Sequence, residues 1–299
     1  MILVTGANGF IGRQVCQRLS VHGQDIVAVD RDFGSSLHVL QVQGDLNDPH
    51  FLSGLFHEYS FDTIIHLAAI LNSASRQGPF DAMNTNIGAS LHLLSLATRF
   101  NVAKFVFGSS ISAYGPKRYE VHGEVSEEEP ASPDNVYGVS KRYVEIVGEH
   151  VRKQENLQFV SLRISMVVGA GATKTASRWR SEIFEKLNVS QHTLITLPFA
   201  STEFLPLVHV SDVADMIKQL VEVKQTLHVI YNTPSDNWQG EELADYIRSL
   251  NRNIEFSFIP SAVRGDPEAI NGMRFVDEFG YAPRLLREQL RRNIEPGKS

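Results

Sequence analysis

Nine residues near the start constrain this chain most. Val4-Thr5-Gly6-Ala7-Asn8-Gly9-Phe10-Ile11-Gly12 continues the apolar run Ile2-Leu3-Val4 and leads into an amphipathic segment. Glycines at 6, 9 and 12 let a strand turn tightly, let backbone approach a bound phosphate group, and let a helix pack close against the strand it leaves. Short apolar runs then recur at Ile26–Val29, Val39–Val42, Thr63–Ile65, Phe105–Phe107 and Phe159–Ile164. Continuous β-branched runs of this length suit strands buried on both faces. Helical patterns lie between them. Asp48 can cap a helix with Pro49 at its first position and Leu52, Leu55, Phe56 and Tyr59 on one face. Further helices are predicted from Asn86 to Phe100 and from near Tyr137 to about Gln154.

This β-α-β alternation predicts an α/β chain with a doubly wound parallel sheet, because parallel strands need crossover connections and helices supply them. After Arg163 the pattern loosens. A helix is read around Arg178 to Leu187, Leu205–Val210 reads as one more sheet strand, and Val213–Val223 reads as its helix. The expected division is a Rossmann domain at 1–164 and 206–231, with a smaller discontinuous substrate lobe at 165–205 and 232–299.

Composition narrows the function classes. With 34 acidic and 28 basic residues the net charge is −6, which gives no electrostatic footprint for nucleic acid. A single cysteine, Cys16, excludes an internal disulfide and suits a reducing compartment. No apolar stretch approaches membrane-spanning length, and Met1 runs into the first strand without a signal-peptide pattern. A cytoplasmic protein without membrane or nucleic-acid partners is expected. The eleven histidines lack metal-ligand spacing, so no metal is expected.

The glycine turn predicts a dinucleotide site, with the pyrophosphate at the helix start formed by Gly9, Phe10, Ile11 and Gly12. Asp30 ends the second strand, where a carboxylate accepts hydrogen bonds from ribose hydroxyls and repels a 2′-phosphate. NAD is therefore expected over NADP, although Arg31 beside it could serve a phosphate. Tyr137 and Lys141 lie one helical turn apart on one face. An ammonium there would lower the phenol pKa, so that Tyr137 could take the proton of an alcohol. Gly108-Ser109-Ser110 follows a strand end, where a serine hydroxyl could bond the substrate oxygen.

In this order the pieces resemble the extended short-chain dehydrogenase/reductases of the NAD-dependent epimerase/dehydratase family. Thr5 to Gly12 is similar to the family's glycine motif. Gly44-Asp45-Leu46 resembles its adenine-contacting turn, and His66-Leu67-Ala68-Ala69 the segment beneath the cofactor. Asn86 to Ser90 resembles a helix start, Ser109 to Gly115 the catalytic hydroxyl segment, and Tyr137 to Lys141 the Tyr-x-x-x-Lys pair. The resemblance implies a cofactor site of Gly6, Asn8, Gly9, Phe10, Ile11, Gly12, Asp30, Arg31, Asp45, Leu46, Leu67, Ala68, Ala69, Asn86, Ser109, Tyr137 and Lys141. It implies a catalytic centre of Ser110, Tyr137 and Lys141.

It also implies hydride transfer at a secondary alcohol of a sugar or sugar-like substrate. A homodimer built on the helices at 86–100 and 137–154 is implied too. Ile111 and Ser112 stand where the family's dehydratases carry Asp-Glu, so dehydration and decarboxylation are disfavoured. Met166 stands where nucleotide-sugar members usually carry Asn. Ser201-Thr202-Glu203-Phe204 replaces their phosphate-binding Arg, and Lys174, Arg178, Arg180 or Arg274 could compensate. The substrate contacts expected are Ser110, Ser112, Met166, Arg178 and Arg274. Two alternatives stay open: a dehydrogenase of a small hydroxy substrate such as a uronate or threonine, and a non-catalytic NAD-binding sensor or scaffold.

Overall fold

The computed structural model describes residues 1–71, 78–171, 178–260 and 265–294. Strand β1 (Ile2–Thr5) passes through the glycine turn into α1 (Phe10–Val21) and returns as β2 (Ile26–Asp30), with β3 (Leu40–Gln43) beyond it. Helix α2 (Pro49–Glu58) leads to β4 (Thr63–His66). Asp48 caps α2 by accepting from His50 N and Phe51 N at 2.9 and 3.3 Å, and Leu52, Leu55 and Phe56 are buried as their spacing predicts.

Helix α3 (Pro79–Met83), a π-helical turn (Asn84–Ala89) and α4 (Ser90–Arg99) follow in series, so the helix expected from Asn86 starts earlier and carries an unforeseen π turn. Then come β5 (Lys104–Ser110), a 3-10 turn (Ile111–Tyr114), α5 (Tyr119–His122), α6 (Val136–Gln154) and β6 (Gln158–Ile164). Beyond them lie β7 (Met166–Val168), α7 (Trp179–Glu185), β8 (Thr193–Leu197), β9 (Phe204–His209), α8 (Val210–Glu222) and β10 (Ile230–Asn232). The chain closes with β11 (Asp236–Gln239), α9 (Gly240–Leu250), β12 (Ile254–Phe258), α10 (Met273–Phe279) and α11 (Leu286–Ile294).

The central sheet has the order β10-β6-β5-β4-β1-β2-β3, and every pair in it is parallel. Register aligns Leu3 with Val27 and Ile64, and Ile64 with Phe105, which aligns with Phe159. These side chains enter one core with Leu52, Phe56, Leu93 and Val144. Their neighbours Val4, Ala28, Ile65, Val106 and Val160 enter the other core, against Val15, Leu19, Val213 and Ile217. Alternate strand residues thus serve opposite helical layers, as a two-sided sheet requires. Strand order reverses at β1, which opens a crevice beyond the carboxyl ends of β1 and β4.

A second set of strands packs around a third core that includes Trp179, Phe184, Ile195, Leu205, Trp238, Leu243 and Leu290. Its sheets have the orders β11-β9-β7 and β12-β8. This corrects the reading of Leu205–Val210 as one more strand of the doubly wound sheet. That segment is the middle strand of the three-stranded sheet, and Ile230–Asn232 supplies the seventh central strand. The physical reason is that Leu205 and Leu207 face the third core, while Val208 and Val210 reach back to the first. Helix α8 also begins earlier than expected, at Val210, because His209 caps it by accepting from Ser211 N.

Candidate active site

The glycine turn stands where the crevice opens. Gly6 has φ 69°, and a Cβ there would lie 2.6 Å from Ala68 N, while one on Gly12 would overlap the Gly6 carbonyl. Backbone therefore packs on backbone at these glycines, with Leu67 N donating to Thr5 O at 3.1 Å. Helix α1 begins after Gly9 with no side-chain cap, so its first N–H groups are available to an external acceptor.

Asp30 sits at the end of β2. Its Oδ2 accepts from Asn8 N at 2.9 Å and its Oδ1 from Arg31 N at 2.8 Å, fixing the carboxylate while leaving each oxygen further acceptor capacity. Gly44 N donates to Asp30 O at 3.0 Å, which brings the Asp45-Leu46 turn alongside, with Asp45 Oδ1 held by Asn47. A glycine turn in close backbone contact, an uncapped helix start and a fixed carboxylate on the adjacent strand together fit an adenine dinucleotide. Asn86 is engaged differently. It exchanges two hydrogen bonds with the Ile70 backbone at 2.8 and 2.9 Å, and its Nδ2 lies 3.3 Å from Ser140 Oγ. It therefore ties the segment around Ala68 and Ala69 to the Tyr137 helix.

The carboxyl end of β5 carries Ser109 and Ser110 in opposite directions. Ser109 donates to Glu145 Oε1 at 2.7 Å, inside a buried network in which Arg163 grips the same carboxylate at 2.9 and 2.7 Å. Ser110 faces the crevice. It accepts from Ser112 N and donates to Ser112 Oγ, both at 3.1 Å. Asn135 caps α6 by accepting from Gly138 N at 2.9 Å, which sets Tyr137 on the first turn and Lys141 on the second.

Lys141 is buried. Its Nζ donates to Gly108 O at 2.7 Å and lies 4.7 Å from the Phe107 ring centroid and 5.7 Å from that of Tyr137. Burial brings the Lys141 ammonium down to about 7, against the opposing pull of Glu145. Burial pushes the Tyr137 phenol up to about 12, and Asp266 adds to that, while Ser110 and Arg180 act against it.

Three expected substrate contacts are held elsewhere. Met166 is buried in the third core. Arg178 is exposed and pairs with Glu182 at 3.0 Å. Arg274 pairs with Glu127 and Glu128 and donates to Ile230 O at 3.1 Å. Lys174 lies outside the described residues. Ser112 does join the centre, donating to Asp266. The inference from Ile111 and Ser112 that no carboxylate stands here was incomplete, since Asp266 arrives from a distant part of the chain. The charge of Arg180 acts against burial at the Tyr137 phenol. Among the described residues, no group of three or more His, Cys, Asp or Glu could hold a metal, and no helix is long and apolar enough to cross a membrane.

A model of the NAD dependent epimerase/dehydratase family matches residues 2–232. A UDP-glucose 4-epimerase of Lacticaseibacillus casei is 32% identical over 176 residues, covering 56% of this chain and 52% of that protein. A second, of Streptococcus mutans, is 33% identical over 178 residues, with 56% and 52% covered. The chain spans about half the length of the curated relatives it matches. Among solved structures, an L-threonine dehydrogenase of Cupriavidus necator superposes with TM-score 0.89 at 21% identity, covering 98% of each chain. A UDP-glucose 4-epimerase of Thermus thermophilus in complex with NAD superposes with TM-score 0.83 at 21% identity, covering 100% and 99%. At these identities the structural likeness speaks to the fold.

Proposed function

The chain belongs to the NAD-dependent epimerase/dehydratase family and its cofactor is NAD; from that premise we propose that it transfers hydride at a secondary alcohol carbon of a sugar or sugar-like substrate. The observation that carries this reading is the placing of Ser110 at the carboxyl end of β5 and of Tyr137 on the first turn of α6, with Lys141 one turn below it and donating to Gly108 O at 2.7 Å. NAD, when bound, accepts or returns the hydride. Gly6, Gly9 and Gly12, with the first N–H groups of α1, would hold its pyrophosphate, and Asp30 its adenosine ribose. Asp45, Leu46, Leu67, Ala68 and Ala69 line the floor. The fixed negative charge of Asp30 favours NAD over NADP.

Ser110 orients the substrate oxygen and Tyr137 removes its proton. Because burial holds the phenol neutral at rest, that removal needs positive charge nearby, and the Lys141 ammonium, its Nζ 5.7 Å from the Tyr137 ring centroid, would supply it. Glu145, braced by Arg163, opposes loss of the Lys141 proton. Residues 1–164 with 206–231 would form the NAD-binding domain, and 165–205 with 232–299 the substrate lobe. Exposed Val139, Tyr143 and Ile146, four and three residues apart on α6, suit a homodimer joined by α4 and α6 from each copy.

A second reading is net oxidation of a small hydroxy substrate such as a uronate or threonine. It is favoured by Glu203, whose carboxylate is held by Ala200 N at 2.8 Å just before β9, where a diphosphate would be repelled. The test is a screen of nucleotide sugars, free uronates and hydroxy amino acids with NAD, following NADH absorbance and product stereochemistry. An epimer without net NADH indicates epimerisation, net NADH a dehydrogenase, and an eliminated or decarboxylated product overturns the hydride-only reading. Cofactor binding without turnover of any compound would favour a sensor or scaffold.

A further inference from the structure

Ser112 stands where three segments of the chain meet. It lies on the 3-10 turn Ile111–Tyr114, and a Cβ on Gly138 would lie 2.3 Å from Ser112 O, so this turn packs directly on the start of α6 beside Tyr137. A Cβ on Gly265 would lie 2.4 Å from Asn135 Nδ2, which seats the residue before Asp266 on the cap of the same helix. Beyond Asp266, Glu268 N donates to Lys117 O at 2.9 Å and Glu268 Oε2 accepts from Tyr119 N at 2.8 Å. Asp266 is thereby held from both sides, and its carboxylate accepts from Ser112 Oγ. A carboxylate only accepts, and Ser112 has one hydroxyl proton, so none is left for Ser110. Ser110 therefore donates to Ser112 Oγ at 3.1 Å while accepting from Ser112 N at 3.1 Å. One lone pair of Ser110 remains for the crevice, and its proton does not. Ser110 and Ser112 are buried, whereas Asp266 is half-exposed.

We propose that Ser110, Ser112 and Asp266 form a proton relay, in which Asp266 receives the proton of the substrate alcohol during oxidation and returns it during reduction. The inference rests on the hydride-transfer reading and gives it a second proton path beside Tyr137. An alcohol hydroxyl that donates to the remaining lone pair of Ser110 lengthens the chain, and every hydrogen bond in it then points toward Asp266. As the carbinol C–H bond gives its electron pair to NAD as hydride, the alcohol proton passes to Ser110. The Ser110 proton passes to Ser112, and the Ser112 proton to Asp266. Each O–H bond that breaks is matched by one that forms, the carbon becomes a carbonyl, and the negative charge of Asp266 disappears together with the positive charge of the oxidised cofactor. Ser110 is left donating to the new carbonyl oxygen, the sense that reduction requires. Asp266, half-exposed, then releases its proton to water. Ser112 and Asp266 act only through Ser110. Burial raises the Tyr137 phenol to about 12, so that group keeps its proton at neutral pH, whereas the relay ends on a carboxylate.

The test compares the protein with Asp266→Asn, Ser112→Ala and Ser112→Thr, on the alcohol that the substrate screen identifies. Asp266→Asn still accepts from Ser112 but takes no proton. Its kcat should fall about 100-fold, with KM changed less than about threefold and the melting midpoint kept within about 4 °C. Ser112→Ala should lose as much and Ser112→Thr should recover most of it. Ser112→Ala combined with Asp266→Asn should lose no more than either alone, because both interrupt one chain. Rates in mixtures of light and heavy water distinguish a relay from a structural tie. A relay moves several protons together, so the rate should follow a curve with deuterium content in the parent and in Ser112→Thr, and a straight line in Ser112→Ala. A straight line in the parent, kcat of Asp266→Asn within about threefold of the parent, or losses that multiply in the double variant would overturn the relay. A midpoint more than about 4 °C lower in Asp266→Asn would make the carboxylate a structural tie and overturn it too. If no compound is turned over, the hydride-transfer reading fails, and trifluoroethanol and its methyl ether are instead titrated into the NAD-bound protein by fluorine resonance. Binding of the alcohol tighter than the ether by about tenfold or more, with the preference lost in Ser112→Ala, still supports a chain directed from Ser110 to Asp266. Any other outcome rejects it.

Discussion

Tyr137 and Lys141 share a helix face but answer to different neighbours. The phenol is raised by burial and by Asp266, with Ser110 acting against them, while the ammonium is held from below by the Gly108 carbonyl at 2.7 Å. Removing the phenol oxygen should therefore affect the chemistry and spare the fold. Tyr137→Phe is expected to lower kcat by about 10³-fold, with NADH affinity unchanged by fluorescence titration. Near-normal turnover would remove Tyr137 from its role. His66 gives a separate prediction, on stability. It bridges Thr5 Oγ1 at 2.6 Å and Ser90 Oγ at 2.7 Å, and Ser90 donates onward to Asn86 O. Ser90 thus has its proton directed at Asn86, so His66 donates through Nε2 and accepts from Thr5 through Nδ1. A second ring proton would break the Thr5 bond, and burial brings the imidazole down from 6.5 to about 3. The unfolded chain takes up that proton first, so stability is full above about pH 6.5 and is lost as pH falls toward 3. Between pH 7 and pH 5 the loss should be about 2 kcal/mol in urea unfolding. His66→Gln should lack this dependence, and a variant with the same acid slope would exclude His66 as its origin.

At the scale of elements, α6 organises the centre, and its start is set by one side chain. Asn135 caps the helix at Gly138 N, next to Tyr137, and a Cβ on Gly265 would strike the Asn135 amide, so the segment leading to Asp266 packs against the same cap. Asn135→Ala should cost about 1 kcal/mol and also lower kcat, whereas Asn135→Ser should restore both. Loss of stability without loss of kcat would separate the cap from the chemistry. This arrangement shows what local sequence carries and what it does not. The Asp48-Pro49 start, the apolar face of Leu52, Leu55 and Phe56, and the spacing of Tyr137 and Lys141 are all local, and sequence reasoning placed each of them. The π turn at Asn84–Ala89 has no periodic signal, because it is stabilised by Asn86 bonding the distant Ile70 backbone. Charge alone does not reveal helix phase at Arg178 and Arg180. Trp179, Ile183 and Phe184 face the core, which leaves Arg178 exposed and paired with Glu182. Asp266 meets Ser112 across 154 positions of chain, a separation at which no spacing rule operates.

The whole molecule joins these parts through the connection from the central sheet into the third core. Strand β9 sends Leu205 and Leu207 into one core and Val208 into another, so the elements around Trp179 and Trp238 are packed onto the cofactor-side sheet through a shared strand. The opposite flank of the central sheet is different. There α4 and α6 leave a groove lined by Leu91, Leu94, Thr98, Val147 and Val151, and α6 presents Tyr143 and Ile146 at 47% and 51% exposure. Large apolar side chains at these exposures along one helix face are costly to leave in water, and a twofold partner offering the same face would cover them. Because this surface lies on the outer side of α6 from the Glu145 network, charging it should dissociate copies without disturbing the site. Ile146→Glu is expected to convert a dimer into a monomer by light scattering at micromolar concentration, with NADH affinity retained. Each copy would bury roughly 800 Å² in a stable interface of ordinary size, so the wild-type dimer should persist at that concentration. A wild-type monomer would instead leave α6 as a solvent-facing helix whose apolar stripe has another cause. An Ile146→Glu dimer would move the contact to a different face of the molecule.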